Sequence, residues 1–198
     1  MKKRFVESLP LVFLSLLFMS CPLNGNGIIG SAFAIRLERE VVEEINFART
    51  RPQEYVKARL QPYVDAGKAS DAMKECINEM NGKAPLKPLQ VAAGLTLAAR
   101  EWVALQGPSG YIGHDNPPWK RFGKYGYYSG WPGENISYGR NDPKEIVIRL
   151  LEDDGVWNRG HRNNILNPGF AYIGVGFGPH EKYGYMCVQD FTGWYKDK

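Results

Sequence analysis

The order of the periodic segments constrains the fold of this chain most. Apolar residues recur at helical spacing in the first half of the sequence, and the predicted helices cover 37–50, 52–62, 70–80 and 89–106. Residues 172–191 instead contain two strand-like runs joined by a short polar turn, which is typical of an antiparallel hairpin. Helices that precede strands indicate an α+β domain, and we predict an antiparallel sheet flanked by helices.

Between these two parts lies a long segment that is rich in glycine and aromatic residues. Residues 107–131 offer few places for regular structure, and a loop of this length in a small domain is typical of a functional site. We predict a further helix after it, because Asp142 is a good N-cap residue and Pro143 suits the first helical position. Gly155 is expected to end that helix.

The N-terminus has the pattern of an export signal. Three basic residues at positions 2–4 precede an apolar run at 9–19 that is too short to span a bilayer. We therefore predict a signal peptide over residues 1–21, a linker over 22–36 and one globular domain over 37–198. With 198 residues, of which 43% are hydrophobic, the chain is large and apolar enough for a domain with its own core.

Two processing sites compete at this end of the chain. Cys21 follows a small residue just after the apolar run, as in bacterial lipoproteins, although Phe18 stands where that pattern has leucine. Residues 32–34, Ala-Phe-Ala, fit ordinary cleavage but lie farther from the apolar run than is usual. We favour lipidation of Cys21, which places the protein on a membrane at the cell envelope. Cleavage after Ala34 would place it outside the cell.

The charge balance argues against a nucleic-acid partner. The formal net charge is +4, and without the first twenty residues 22 basic residues remain against 20 acidic ones. Such a near-balance lacks the excess of positive charge that polyanion binding needs. The sequence does not indicate an oligomeric state.

The cysteine count bears on both the anchor and the domain. Three cysteines leave an odd one in an exported protein unless Cys21 is modified. In that case Cys76 and Cys187 remain as a pair, and we predict a disulfide between them. The alternative is two buried thiols that pack as small apolar side chains.

Several motifs, taken in order, resemble those of one protein family. They are NFAR at residues 46–49, GH at 113–114, GENI at 133–136, GHRNNILNP at 160–168 and IGVG at 173–176. The pattern resembles the CAP superfamily of cysteine-rich secretory, antigen 5 and pathogenesis-related 1 proteins, and it is most similar to the bacterial SCP-like branch. The resemblance implies an α-β-α sandwich, an extracellular or cell-surface location, and a central cavity lined by two histidines and two acidic residues.

Carried over by position, the resemblance implies a tetrad of His114, Glu134, Asp153 and His161. Three of these residues match their motifs directly. The third member of the tetrad is aspartate where the family commonly has glutamate, and Asp154 is the other candidate for it. Aspartate is one methylene shorter, so a geometry that suits glutamate would change here.

The tetrad allows two interpretations. Two neutral imidazoles with carboxylates nearby suit Zn²⁺ or another divalent cation, with His114 and His161 as the ligands and water completing the shell. Alternatively, the four side chains form a polar network that needs no ion. No His-Glu-x-x-His pair is present to hold a catalytic zinc in advance.

An enzyme and a binding module both remain open, and the sequence favours the binding module. A metal-dependent hydrolase, such as a peptidase, would use Glu134 as the base together with His114 and His161. Ser129 and Ser137 do not lie in a nucleophile elbow, so no catalytic residue is assigned.

Aromatic residues provide the second candidate binding feature. Their density suggests a groove for a lipid, sterol, peptide or protein ligand, while many of them are expected to belong to the core. His180, in the predicted hairpin turn, is expected to be solvated. The aromatic residues concerned are Tyr111, Trp119, Phe122, Tyr125, Tyr127, Tyr128, Trp131, Trp157, Trp194 and Tyr195.

Overall fold

The computed structural model describes residues 31–114 and 117–198. The predicted signal peptide, the lipidation site Cys21 and linker residues 22–30 lie outside the described residues. The helices are α1 (Ser31–Thr50), α2 (Pro52–Tyr55), α3 (Gln61–Asp65), α4 (Asp71–Asn81), α5 (Ala93–Gln106), α6 (Pro118–Tyr125), α7 (Pro143–Glu152) and α8 (Gly160–Ile165). A π-helical stretch, Val56–Leu60, joins α2 to α3. No helix in the described ranges is long and apolar enough to cross a membrane.

Helix α1 begins six residues earlier than the sequence predicts. Residues 31–36, which the sequence assigns to the linker, form its first turns. The reason is packing, because Phe33 and Ala34 lie against the main hydrophobic core. The ring of Phe33 meets the ring of Phe177 edge-on at 6.0 Å between centroids.

The strands form one four-stranded and one two-stranded sheet. They are β1 (Gln90–Val91), β2 (Gly126–Ser129), β3 (Gly133–Tyr138), β4 (Tyr172–His180), β5 (Gly184–Thr192) and β6 (Trp194–Asp197). The larger sheet has the order β1-β4-β5-β3, and β2 pairs with β6 in the smaller one. The larger sheet is antiparallel as predicted, apart from the short β1, which runs parallel to β4. Strand β3 is therefore an edge strand.

Helices cover both faces of the larger sheet, as in the predicted α-β-α sandwich. On one face α1, α4 and α7 bury apolar side chains against Ile173, Val175 and Phe191. On the other face α5 lies directly on β4. A Cβ atom added at Gly174 or Gly176 would collide with the backbone of α5, so only glycine allows this close approach.

Two segments have more regular structure than the sequence indicates. The helix predicted from Leu89 begins at Ala93, because residues 90–91 pair with β4 instead. The glycine- and aromatic-rich loop contains α6 and β2. The predicted N-cap is confirmed, since the side chain of Asp142 accepts the backbone N–H of Glu145, and Ser70 caps α4 in the same way.

The predicted disulfide between Cys76 and Cys187 is wrong in this structure. Both cysteines are free and buried, and both belong to the main core. Desolvation raises the pKa of Cys76 to about 12 and the pKa of Cys187 far above its ordinary value. The two thiols therefore pack as small apolar groups, which was the alternative interpretation.

Arg49 is a buried connection between α1 and the segment that leads into β4. Its guanidinium donates to the carbonyl oxygens of Ile165 at 2.7 Å, Asn167 at 2.9 Å and Phe170 at 3.1 Å, and also to that of Lys87. Burial lowers the pKa of Arg49 to about 10, because desolvation disfavours the charged form. The side chain thus satisfies four carbonyl groups where no regular element can do so.

Replacing Arg49 with alanine is expected to lower the free energy of unfolding by about 3 kcal/mol or more, since several carbonyl groups lose their donor at once. Arg39→Ala is the matched control on the same helix, where the arginine is largely exposed. We expect that control to cost less than about 0.5 kcal/mol. Chemical denaturation of both variants would measure the difference, and equal costs would contradict the role of Arg49.

Candidate functional site

A cleft of about 600 Å³ lies along the edge strand β3. We call it the β3 cleft. From the strand it is lined by residues 136–138, and from the hairpin turn and the loop after α5 by Tyr183 and Ile112. Helix α7 and the turn after it contribute mostly charged side chains, among them Arg149, Asp153 and Asp154, and His161 comes from α8.

One histidine–carboxylate pair lies on this cleft. His161 Nδ1 is 2.6 Å from Asp153 Oδ1, and the backbone N–H of His161 donates to Asp153 Oδ2 at 2.9 Å. Asp154, the other candidate for this position, is exposed, and its carboxylate accepts from the neighbouring Gly155 N–H at 3.1 Å. The structure thus places Asp153, and not Asp154, beside His161.

The turn between α7 and α8 sets the position of this pair. Asp153 ends α7 in the left-handed conformation with φ 53°, and Arg159 adopts φ 50° just before α8. Non-glycine residues adopt this conformation rarely, and aspartate tolerates it better than most. The Arg159 guanidinium donates to the carbonyl oxygens of Asp153 at 2.7 Å and Val156 at 3.0 Å, which closes the turn. Sequence reasoning missed Arg159.

Arg162 holds the same region from inside. Its side chain is fully buried and donates to the carbonyl oxygens of Leu151 at 2.6 Å and Glu152 at 2.9 Å, at the end of α7. It also bonds to Ala72 and Glu75 of α4. Arg162, which follows His161 in the motif, therefore has a structural role. It holds α4, α7 and α8 together around the His161–Asp153 pair.

The second histidine–carboxylate pair joins His114 to Glu134. His114 Nδ1 is 2.6 Å from Glu134 Oε1, and the imidazole is about half exposed while the carboxylate is almost fully buried. The other oxygen of Glu134 accepts from Arg121 of α6. Because an ionised carboxylate only accepts hydrogen bonds, Nδ1 of each histidine carries the hydrogen and Nε2 is the remaining nitrogen.

Arg121 and Asp190 extend this pair into the interior, and sequence reasoning missed both. Arg121 donates to Asp190 Oδ1 at 3.4 Å and to the Ala98 carbonyl at 3.2 Å. Asp190 lies directly across from Glu134 in the sheet and is fully buried. The alternation of β5 could have marked Asp190 as an inward-facing acid, but nothing in the sequence pairs it with Arg121.

Asp190 is the acid of this group whose pKa is raised. Burial raises the pKa of Asp190 well above its ordinary value, the nearby Glu134 raises it further, and Arg121 opposes them. Its Oδ2 has no hydrogen-bond partner among the described residues.

The two histidine–carboxylate pairs do not both line the β3 cleft. Asp153 and His161 line the β3 cleft, whereas His114 and Glu134 do not. Within the described ranges, no group of three or more His, Cys, Asp or Glu side chains is placed to hold a metal ion. The residues present therefore do not fit a zinc site with three or four protein ligands.

The aromatic residues divide between the core and the surface. Phe122 and Tyr195 are buried, as expected for core residues. Trp119, Tyr128 and Trp131 line a separate groove of about 460 Å³. His180 is buried as well, contrary to the sequence expectation, because its ring nitrogens meet the Tyr111 carbonyl at 2.9 Å and the Tyr183 N–H at 3.3 Å.

The state of Asp190 predicts a pH-dependent effect of replacing it with asparagine. In the unfolded chain the carboxyl group of Asp190 loses its proton above about pH 4, while in the folded chain it loses the proton only at a higher pH, because its pKa is raised. The contribution of this carboxyl group to the free energy of unfolding is therefore fully present below about pH 4. It is lost as the pH rises toward the raised pKa of the folded state. The substitution Asp190→Asn nearly preserves the shape of the side chain and removes the group that causes this loss.

We expect Asp190→Asn to stabilise the protein by more than about 1 kcal/mol at pH 8, relative to its effect at pH 4. Denaturant titrations at both pH values measure the change. Asp154→Asn is the exposed control and should change stability by less than about 0.5 kcal/mol at either pH. An effect of Asp190→Asn at pH 8 that is no more favourable than its effect at pH 4 would contradict a raised pKa of Asp190.

Comparison with known proteins agrees with the fold and the motifs. Residues 45–191 match the CAP family, described as the cysteine-rich secretory protein family. The uncharacterized protein YkwD of Bacillus subtilis is 33% identical over 123 residues, which cover 60% of this chain and 45% of YkwD.

Two solved structures share the fold. An extracellular protein of Bacillus anthracis that contains an SCP domain aligns with a TM-score of 0.54 and 18% identity, over 87% of this chain and 45% of its own. A cysteine-rich secretory protein of Staphylococcus aureus aligns with a TM-score of 0.51 and 15% identity, over 84% and 40%. This chain spans less than half the length of each of these relatives. Since the family match extends over most of the sequence, the chain belongs to the CAP family, in its bacterial SCP-like form.

Proposed function

We propose that this protein is an exported CAP-domain module that binds a ligand in the β3 cleft. The observation that carries the proposal is the cleft itself, whose volume of about 600 Å³ is typical of ligand sites and whose lining brings charged and aromatic groups together. The His161–Asp153 pair supplies a fixed polar contact within it. The signal-like N-terminus supports export, with the anchor at Cys21 as the proposed attachment.

A metal-dependent hydrolase has less support from the geometry. Glu134 would have to accept a proton from water, yet one of its oxygens is held by His114 and the other by Arg121. Glu134 also lies outside the lining of the β3 cleft. A water would therefore have to reach an oxygen that already accepts a hydrogen bond, on a carboxylate that is almost fully buried.

The aromatic groove is a second binding surface with different chemistry. Trp119, Tyr128 and Trp131 surround it together with Gly130 and Pro132, and Trp131 is 89% exposed. Large exposed aromatic rings around a depression suit an apolar ligand such as an acyl chain or a sterol. We assign lipid-like ligands to this groove and polar ligands to the β3 cleft.

One screen tests both assignments. A library of short peptides, acyl chains and sterols would be examined by ligand-observed NMR against the wild-type protein and the variants His161→Ala and Trp131→Ala. We expect polar ligands to lose about tenfold in affinity with His161→Ala, and apolar ligands to lose about as much with Trp131→Ala.

Trp157→Ala is the control for the screen, because Trp157 is 92% exposed and lies in neither lining. It should leave the affinity of both ligand classes unchanged. If no compound in the library depends on His161 or on Trp131, the proposed binding function is wrong.

Divalent metal at His114 and His161 is a second candidate function. The favouring observation is that each imidazole has its Nδ1 held by a carboxylate, as metal-binding histidines in proteins usually do. Nε2 of each ring is then the nitrogen that would bind the ion. With two protein ligands, most of the coordination shell would be water, so we expect weak and reversible binding.

Calorimetric titration with Zn²⁺ tests this candidate. We expect weak binding to the wild-type protein and its loss in the double variant His114→Ala, His161→Ala. The single variants should each reduce the affinity at least about tenfold, because one ligand then remains. Binding that survives the double variant would place the ion elsewhere and refute the two-histidine site.

A further inference from the structure

Strand β3 uses only one of its edges for pairing within the described part of the chain. It pairs with β5 in antiparallel register, Gly133 opposite Phe191 and Tyr138 opposite Met186. Gly139, the next residue, donates its N–H to the Tyr185 carbonyl at 2.9 Å. The N–H and carbonyl groups of successive residues in a strand point alternately to its two sides. Those of residues 133, 135 and 137 therefore point to β5, while those of residues 134, 136 and 138 point away from it.

Two of the outward-pointing carbonyl groups are satisfied by nearby side chains. Asn164 of α8 donates to the Glu134 carbonyl at 3.3 Å, and Arg140 donates to the Tyr138 carbonyl at 3.2 Å. Ile136 lies between them. Neither its N–H nor its carbonyl group hydrogen-bonds to another residue that the structure describes. Ile136 also lines the β3 cleft.

Ile136 thus has a backbone N–H and a backbone carbonyl group on the side of the strand away from β5. An extended peptide has the complementary acceptor and donor along its own edge. In such an arrangement one residue of the added strand exchanges both hydrogen bonds with Ile136. Side chains of the peptide then alternate between the two sides of the sheet edge. This is the geometry by which extended peptides add to the edge of a sheet.

The two sides of the cleft differ in chemistry. On the α7 side, carboxylates outnumber arginines, with Glu145, Glu152, Asp153 and Asp154 against Arg149, and Arg140 lines the cleft at the end of β3. Asp154 is exposed and forms no direct ion pair with a described arginine or lysine, although Arg159 interacts with it electrostatically over a longer distance. The other side offers Ile112 and the ring of Tyr183, which lies 5.7 Å from that of Tyr138.

We propose that the β3 cleft binds an extended peptide that adds to β3 as a further strand at Ile136, with a basic side chain directed to Asp154 and apolar side chains directed to Ile112 and Tyr183. This inference rests on the proposed function, because it names the ligand class of the same cleft. The alternation of basic and apolar residues follows from the two sides of the cleft, and the extended conformation follows from the free backbone groups of Ile136.

The probe is a hexapeptide of alternating valine and lysine with blocked termini. Its controls are the same peptide with every amide N-methylated, which cannot donate to β3, and a version with glutamate in place of lysine. Titration into ¹⁵N-labelled protein should shift the amide resonance of Ile136 and protect it from hydrogen exchange. We expect the N-methylated peptide to bind at least about tenfold more weakly, because it loses the backbone donors.

The charge component is tested by Asp154→Asn, with the exposed Asp65→Asn on α3 as control. We expect Asp154→Asn to weaken binding of the lysine peptide by about threefold and Asp65→Asn to leave it unchanged. The glutamate peptide should bind more weakly than the lysine peptide to the wild-type protein.

The outcomes separate this inference from the proposed function. Equal binding of the normal and N-methylated peptides would overturn strand addition while leaving the cleft as a ligand site. The same holds if the peptide leaves the resonances of the cleft unchanged although another compound of the library binds there. If neither the peptide nor any library compound perturbs the cleft, both proposals fail.

Discussion

A guanidinium group that is removed from water needs hydrogen-bond acceptors for its N–H groups. Three buried arginines of this chain find such acceptors inside the domain. Arg49, Arg121 and Arg162 are among the most completely buried large side chains of the domain. Each donates to backbone carbonyl groups of other segments, and so connects parts of the chain that share no regular hydrogen bonding. The positions of the candidate site residues depend on these three side chains.

The two histidine–carboxylate pairs depend on different arginines, which explains why they differ in character. Glu134 is held by Arg121 within a buried group of charges, so its pair with His114 is anchored in the sheet. Asp153 belongs to the turn after α7, whose backbone is held by Arg159 and Arg162. One pair is therefore fixed by an ionic group inside the sandwich, and the other by a turn at its edge.

The sequence predicted those parts of the molecule that depend on local chemistry. Asp142 marks a helix start because its side-chain oxygen can accept a nearby N–H, and the alternation of residues 172–191 predicts the hairpin. The motif histidines and carboxylates were found in the same way, as short patterns. The pairing of Asp153 with His161 needed the structure, because the backbone conformation of the turn decides which of the two adjacent aspartates faces the histidine.

Features that depend on distant contacts could not be read from the sequence. Residues 31–36 have the composition of a linker, but they are helical because Phe33 packs against Phe177, which is distant in the sequence. Strand β1 has only two residues and exists because β4 pairs with it. The same applies to Asp190, to buried His180 and to the two thiols, since counting cysteines cannot tell whether their side chains lie within bonding reach.

The free backbone groups at Ile136 contrast with the rest of this sheet edge, where nearby side chains bond to the carbonyl groups. An open sheet edge is a hazard, because it can pair with other chains, and proteins usually cover or interrupt it. Here Asn164 and Arg140 occupy the carbonyl groups on either side of Ile136, and α8 lies beside the start of the strand. Of the three outward-pointing carbonyl groups of β3, only that of Ile136 has no partner among the described residues, and Ile136 lines the β3 cleft. An opening of that size is too short for uncontrolled sheet growth, but it is long enough for one residue of an extended peptide to exchange a pair of hydrogen bonds.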